Sequence, residues 1–139
     1  MLGLQKGYTA VTSPAAKKYS SLIRYSEQKY NLPKNILARL LQTESGFNPK
    51  ATNPSGAKGI AQIIPKWHPG VDPFNPKQAI PYSAKYLREM FIRFGSWEKA
   101  LAAYNYGPGN VSKTLKKYGS DWKSNLPTET KNYIRKILQ

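Results

Sequence analysis

The chain of 139 residues contains no cysteine, a single histidine and few acidic residues. Without cysteine it forms no disulfide and no thiolate metal site, so packing must stabilise the fold. The histidine, His68, has no cluster of acids beside it in the sequence, and we predict no metal and no cofactor. No apolar run approaches the length of a membrane-spanning helix, so we predict no transmembrane segment.

The shortage of acids gives the chain a strongly positive charge. Seven Asp and Glu stand against 22 Lys and Arg, a net charge of +15. Such a charge attracts polyanions, so we expect electrostatic contact with an anionic cell wall or membrane surface. A basic nucleic-acid- or wall-binding module is one functional alternative, although no zinc-finger or basic-zipper motif indicates a specific nucleic-acid partner. The sequence fixes no oligomeric state.

Apolar residues recur mainly at helical spacing, which predicts a mostly α fold of one domain. We expect residues 1–12 to be a flexible N-terminal lead and residues 13–139 to be the folded domain. The helix boundaries follow from local capping signals. The expected starts and stops are Ser13-Pro14, Gly46, Gly95, Ser96 and Pro127, with a short helix over 111–118.

Residues 46–76 are rich in Gly, Pro and Asn, and we predict a loop with a short strand or turn around Ile60 to Ile64. A loop of this length inside a compact domain is usually functional. Immediately before it stands Glu44, four residues after Leu40 and three after Leu41, on the apolar face of the second helix. We expect partial desolvation to raise the pKa of this carboxyl, which suits a general acid. A solvated helix-end glutamate is the simpler alternative.

Four motifs in order carry a family resemblance. They are Glu44-Ser45, Gly59-Ile60-Ala61-Gln62, Ala103-Tyr104-Asn105 and Tyr133 near the end. Together the segments "ESGFNPKATNPSGAKGIAQIIP", "ALAAYNYGPGNV" and "ETKNYIRKIL" resemble the catalytic domain of the soluble lytic transglycosylases. The resemblance covers roughly residues 18 to 138. Ala61 and Ile64 stand where the family frequently has methionine, which puts the detail of the sugar subsites in question.

The resemblance implies a lysozyme-like helical domain with a substrate groove between lobes. It implies cleavage of the peptidoglycan β-1,4 bond between N-acetylmuramic acid and N-acetylglucosamine, with a 1,6-anhydro ring formed without water. The resemblance therefore implies a bacteriolytic enzyme that degrades the cell wall by lyase-type cleavage. Glu44 would act as acid and then as base, assisted by the 2-acetamido group of the sugar.

The remaining acids after Glu44 agree with a mechanism based on one carboxyl. Ordinary glycosidases use two carboxylates flanking the bond. Asp72 lies in a Pro-rich loop, and none of the later acids is an obvious partner of Glu44. A hydrolase similar to goose-type lysozyme stays the alternative, with Asp72 as the first candidate for its second acid. A non-catalytic wall-binding relative is disfavoured by the intact Glu44-Ser45 pair.

The resemblance also implies substrate-binding roles for five residues, each of which has a structural alternative. Ser45 would orient the substrate or bond a carbonyl at the helix end, and Gln62 would bond sugar or be a turn amide. Tyr104 would contact the sugar or pack in the core. Asn105 would hold an acetamido group or cap a helix. Tyr133 would bond Glu44 through its hydroxyl or simply be a packed tyrosine.

The N-terminal stretch "MLGLQKGYTAVTSPAAKK" has no basic segment followed by an apolar one, so we predict no secretory signal. A basic catalytic domain without such a signal suggests a bacteriophage lysin. We expect an endolysin or virion-associated enzyme made in the host cytoplasm and acting on the cell wall.

Overall fold

A computed structural model describes residues 7–139. Within this range the chain forms six α-helices and two 3₁₀ turns, which confirms the mostly α prediction. The helices are α1 Pro14–Lys29, α2 Ile36–Ser45, α3 Pro76–Phe94, α4 Trp97–Tyr106, α5 Pro108–Tyr118 and α6 Thr128–Leu138, with the 3₁₀ turns Gly119–Asp121 and Lys123–Asn125. The chain divides into two compact units, with the boundary after Lys85. None of these helices combines the length and the apolar character needed to cross a lipid bilayer.

Local caps set most helix ends where the sequence predicts them. The Ser13 side chain accepts a hydrogen bond from the Ala16 N–H at 3.2 Å, and Ser96 accepts one from Lys99 N–H at 3.2 Å. Gly46 ends α2 in the left-handed conformation, with φ +61°. Each of these devices satisfies backbone groups that a helix end leaves unpaired.

In the first unit, α1 packs against α2. The buried face of α1 contains both apolar and polar residues. Ile23 is 4% exposed, while Ile36, Leu37, Leu40 and Leu41 of α2 have no exposed surface. The buried apolar stripe on α2 supplies the largest hydrophobic contribution that this pair of helices makes to stability.

The segment between α2 and α3 is irregular but well ordered. The predicted strand or turn around Ile60 is a turn, held by isolated bridges from Lys58 to Thr52 and to Ile63. Ile60, Ala61 and Ile63 are buried, so the segment contributes its own apolar residues to the core of the first unit. Tertiary burial therefore orders a stretch that has no regular secondary structure.

In the second unit, α4 packs against both α5 and α6. Its residues Ala100 to Ala103 have no exposed surface, and three of the four are alanine. Such small side chains let neighbouring helices approach closely. Phe91 at the end of α3 stacks on Trp97 at the start of α4, with ring centroids 4.1 Å apart.

Two boundaries differ from the sequence-based expectation. Helix α5 begins at Pro108, not near Val111, because proline fits the first turn of a helix and Gly107, with φ +97°, makes the whole turn from α4. Helix α3 begins at Pro76, within the stretch assigned to loop, where the Asn75 side chain accepts a hydrogen bond from the Lys77 N–H at 3.1 Å.

The predicted flexible lead, residues 1–12, falls partly outside the described residues, which begin at residue 7. Tyr8 N–H donates to the Lys34 carbonyl at 2.9 Å, and the Asn35 side chain donates to the Tyr8 carbonyl at 2.6 Å. Tyr8 therefore lies against the turn that precedes α2. The flexibility of the lead and the boundary at residue 13 stay predictions.

Among the described glycines, Gly59 is the one at which an added side chain would clash most severely with a neighbouring atom. A Cβ there would lie 1.8 Å from the Pro73 carbonyl oxygen, and φ is +80°. We expect Gly59→Ala to lower the free energy of unfolding by about 3 kcal/mol or more, through backbone strain and steric clash. Gly56→Ala is the matched control, because φ is +91° and no described atom lies within 4 Å of its Cβ. Gly56→Ala should lower the free energy of unfolding by only about 1 kcal/mol. Equal losses in urea denaturation would contradict the close approach.

Candidate active site

Glu44 lies in the last turn of α2 and is half-buried. The helix continues for one residue and ends at Gly46, whose N–H donates to the Gln42 carbonyl at 3.0 Å. The fully buried stripe of Leu37, Leu40 and Leu41 fixes the rotation of α2 about its axis. Glu44 is therefore presented by a rigid helix at the point where the irregular segment begins.

Ser45 fastens the end of α2 to that segment. Its hydroxyl donates to the Ile60 carbonyl at 2.7 Å and accepts from the Asn48 N–H at 3.1 Å. The structural alternative for Ser45 was a helix-end hydroxyl that bonds a carbonyl, and the bonded carbonyl belongs to a residue 15 positions later. Ser45 thus links the acid-bearing turn to the buried part of the loop.

Gln62 is held within the same segment. Its side-chain Nε2 donates to the Gly59 carbonyl at 2.9 Å and to the Ala51 carbonyl at 3.3 Å, and its backbone φ is +51°. Both hydrogen bonds use the amide nitrogen, so the side chain acts as a turn amide. A sugar hydroxyl would meet the amide oxygen as acceptor.

Glu27 of α1 is a buried acid that none of the sequence motifs predicts. Its side chain is 1% exposed, and its Oε2 accepts the Leu37 N–H at 2.9 Å. Burial raises the pKa of Glu27, opposed by hydrogen bonds from the backbone N–H groups of Asn35, Leu37 and Ala38 and by the Arg24 guanidinium 3.7 Å away. Its position four residues after the buried Ile23 is the sequence signal that could have found it.

The carboxyl of Glu27 replaces a cap that α2 does not make for itself. Asn35, at the N-cap position, has φ +73° and no side-chain hydrogen bond to the helix. Its amide is used instead on the Tyr8 carbonyl. The N–H groups of the first turn of α2 are consequently satisfied from α1, by a residue ten positions before Leu37.

In the second unit, Asn105 near the end of α4 meets the start of α6. Its Oδ1 accepts the Thr130 hydroxyl at 2.8 Å, and its Nδ2 lies 3.5 Å from the Glu129 carboxylate. These contacts fix which way the amide points. No local sequence signal indicates Thr130 or Glu129 as partners of Asn105, because the contact depends on how α6 returns to α4.

The two tyrosines of interest have different environments. Tyr104 is half-buried, and its ring lies 5.7 Å from the ring of Tyr86 at a tilt of 58°. Tyr133 on α6 is 5% exposed and shares the buried face with Ile134 and Ile137. The structure thus brings Ser45 to the loop that holds Gln62, and Asn105 to α6. The expected grouping of all these residues around Glu44 stays a prediction.

Several other polar residues have evident local partners. The Asp72 carboxylate is exposed and accepts the Phe74 N–H at 3.0 Å, and Glu98 forms an ion pair with Lys123 at 2.6 Å. His68 Nδ1 lies 2.6 Å from the Tyr82 hydroxyl. Within residues 7–139 no group of three His, Cys, Asp or Glu side chains could hold a metal ion.

Comparison with known protein families shows to which family the chain belongs. The family described as Transglycosylase SLT domain matches residues 21–127. The chain belongs to this family. The matched region of the SLT domain runs from α1 to the residue before α6, and it contains Glu44, Ser45, Gln62, Tyr104 and Asn105.

Relatives of this SLT domain occur in bacteria and in a phage. It is 32% identical over 154 residues to membrane-bound lytic murein transglycosylase D of Escherichia coli (strain K12), covering 96% of this chain and 33% of that protein. It is 29% identical over 127 residues to a transglycosylase of Enterobacteria phage PRD1, covering 89% of this chain and 43% of the phage protein. The chain therefore spans a third to less than half of the length of these relatives.

A solved structure confirms the lysozyme-like fold of the SLT domain. The crystal structure of the 70 kDa soluble lytic transglycosylase of Escherichia coli superposes with a TM-score of 0.75 and 27% identity. The superposition covers 86% of this chain and 22% of the Escherichia coli chain. The inactive mutant of lytic transglycosylase Slt from Pseudomonas aeruginosa, at 23% identity, has the same fold with a TM-score of 0.74.

Removal of the Ser45 hydroxyl should loosen the junction between α2 and the irregular segment. Ser45→Ala loses one donor and one acceptor in a half-buried place, so we expect a loss of about 1–2 kcal/mol in the free energy of unfolding. Ser20→Ala is the matched control, since its exposed hydroxyl also donates to a backbone carbonyl, that of Lys17 at 3.0 Å. Its effect should stay within about 0.5 kcal/mol. Indistinguishable urea midpoints would show that the Ser45 junction adds no stability.

Proposed function

We propose that this SLT domain is a peptidoglycan lytic transglycosylase. It cleaves the β-1,4 bond between N-acetylmuramic acid and N-acetylglucosamine and leaves a 1,6-anhydro-muramyl end. The observation that carries the proposal is the family match over residues 21–127, which includes a half-buried glutamate at the end of a packed helix. The names of the bacterial and phage relatives support the same activity.

In the proposed mechanism Glu44 is the single catalytic carboxyl. Its proton passes to the glycosidic oxygen as the bond from C1 to that oxygen breaks, which releases the N-acetylglucosamine 4-hydroxyl. The 2-acetamido oxygen of the sugar stabilises the positive charge that develops at C1 during this step. The Glu44 carboxylate then takes the proton of the muramic 6-hydroxyl while that oxygen bonds to C1. The carboxyl is thereby restored, and no water is consumed.

The five other residues singled out from the sequence are proposed to bind the substrate. Asn105 suits an acetamido group, because Thr130 and Glu129 orient its amide in advance. Gln62 offers its amide oxygen to a sugar hydroxyl, and Tyr104 offers a half-buried aromatic face. Ser45 orients the substrate beside the acid. Tyr133 is proposed to steady the catalytic carboxyl through its hydroxyl.

A water-using hydrolase would need a second carboxylate, and the structure gives that alternative no specific support. The first candidate, Asp72, is exposed and accepts a hydrogen bond from its own turn. The reaction products decide between the two chemistries, because hydrolysis leaves reducing ends and the transglycosylase leaves anhydro ends.

The similarity to a phage transglycosylase supports a role in phage-driven cell wall degradation. We propose an endolysin or virion-associated lysin, made in the host cytoplasm and acting on the wall. The outward side of α1 fits an electrostatic contact with that anionic surface. Lys17, Lys18, Arg24 and Lys29 are exposed there, and the one acid of the helix, Glu27, is buried.

Substitution Glu44→Gln tests the chemistry directly. We expect mass spectrometry of digests of purified peptidoglycan to show anhydro-muramyl products for the wild type, and a rate at least about a hundredfold lower for the variant. Glu89→Gln is the matched control, because Glu89 is an exposed helical glutamate. It should digest at the wild-type rate. Reducing-end products from the wild type would assign hydrolysis instead, and no cleavage at all would remove the enzymatic assignment.

Neutralising the exposed cations of α1 tests the electrostatic contact. We expect the triple variant Lys17→Gln, Lys18→Gln, Lys29→Gln to bind purified cell walls more weakly than the wild type in a sedimentation assay. The difference should shrink as salt is raised, because salt screens exposed charges. The triple Lys-to-Arg variant at the same positions keeps the charge and should bind like the wild type. Equal binding by all three proteins at low salt would refute this contact.

A further inference from the structure

Helix α2 is held at both ends by side-chain hydrogen bonds, one made by its own last residue and one made by a residue of α1. At its C-terminal end Ser45 bonds the Ile60 carbonyl, and at its N-terminal end Glu27 of α1 accepts the Leu37 N–H. Leu37 and Glu44 are seven residues apart, which is about two helical turns and roughly 10 Å along the axis. A shift of the first turn is therefore carried to the acid by a short, rigid element.

The contact at the N-terminal end is unusual because it buries a charge-bearing group. Glu27 is 1% exposed, and desolvation is the largest influence on its pKa, which it raises. A raised pKa means that the fold is most stable below the pKa of the unfolded chain and loses this contribution as the pH rises through the folded value.

We propose that Glu27 is a positioning residue whose carboxyl holds the first turn of α2 and thereby sets the place of Glu44. The inference rests on the proposed catalytic role of Glu44. In its ionised form the carboxyl acts only as an acceptor towards three backbone N–H groups, whereas a glutamine would direct its NH₂ group at one of these donors or at Arg24. The first turn of α2 must then move, although the volume of the side chain is unchanged.

The surroundings of Glu27 identify the groups that share its electrostatics. The Arg24 guanidinium of the same helix lies 3.7 Å from Oε1 and is the charged group that acts on Glu27, while Lys34 in the turn before α2 lines the same cavity as Arg24. This cavity has a volume of about 270 Å³, and Glu27 borders it together with Leu32 and Pro33. The carboxyl is thus buried between the Arg24 guanidinium and the first turn of α2.

Steady-state kinetics with soluble glycan strands test the proposal, with Glu27→Gln as the variant and Ser26→Ala as the matched control. Ser26 is the neighbouring fully buried residue of α1, but its hydroxyl donates to the Leu22 carbonyl of its own helix. For Glu27→Gln we expect kcat for anhydro products to fall at least about tenfold per folded molecule, with KM within about twofold of wild type. Ser26→Ala should keep kcat within about twofold, whatever it does to the melting temperature.

The pH dependence of stability is the second measurement. The wild type should lose free energy of unfolding as the pH rises through the raised pKa of Glu27, and Glu27→Gln should lack this decline. At neutral pH the variant should therefore be folded while being slow. A purely structural role predicts the opposite, a drop in activity that only follows the folded fraction.

Distinct results would overturn the proposal. If the wild type makes anhydro products and Glu27→Gln matches its kcat per folded molecule, the positioning role is refuted while the proposed function stands. If the wild type makes none, the proposed function itself fails before any variant is compared. Should Glu27→Gln not fold, NMR titration of the wild type decides. Both the Leu37 amide and the Glu44 carboxyl resonance should show an inflection at the Glu27 midpoint, and its absence from either overturns the role.

Discussion

The buried hydrogen bond between the Glu27 carboxyl and the first turn of α2 is the constraint on which the candidate acid depends. An α-helix of ten residues is too short to be stable alone in water, so its position comes from what it packs against and what caps it. Four fully buried aliphatic residues of α2 supply the packing. The Glu27 carboxyl of α1 sets the direction of the α2 axis, because it accepts hydrogen bonds from backbone N–H groups that point along this axis.

The opposite end of α2 is organised by a different kind of interaction. There the neutral hydroxyl of Ser45 joins the helix to Ile60, within a segment that has no regular secondary structure. That segment is kept in place by backbone turns and by five buried apolar residues, Phe47, Ala57, Ile60, Ala61 and Ile63. Charge at one end and apolar burial at the other thus act on the same helix, and Glu44 lies between them.

Local signals in the sequence predicted the helical fold and most of its boundaries. Ser13, Ser96 and Gly46 act on residues within four positions, so their effect can be read without knowing the tertiary structure. The start of α5 was misplaced because Pro108-Gly109 is typical of a turn, while proline is equally suited to a first helical turn.

The parts of the candidate site that the sequence could not supply depend on long-range contacts. The family motifs brought out Glu44 and Asn105, but nothing local shows that Thr130 would orient that amide across 25 positions. Glu27 lay on a recognisably apolar face, yet its partner is the backbone of another helix. Backbone partners have no side-chain signature, and motif reasoning therefore passes over them.

The packing of the irregular segment also bears on how the protein resists degradation. A protease must draw several extended residues into its cleft before it can cut, and coil regions are usually where it succeeds. Here Gly59 N–H is bonded to the Ala51 carbonyl at 2.7 Å, and Lys58 and Ile63 exchange backbone hydrogen bonds over buried side chains. Extracting this stretch means dismantling the core of the first unit. Within the longest non-helical part of residues 7–139, residues 57–63 are thus shielded from nicking, which leaves the exposed turn at residues 52–55 as the accessible place.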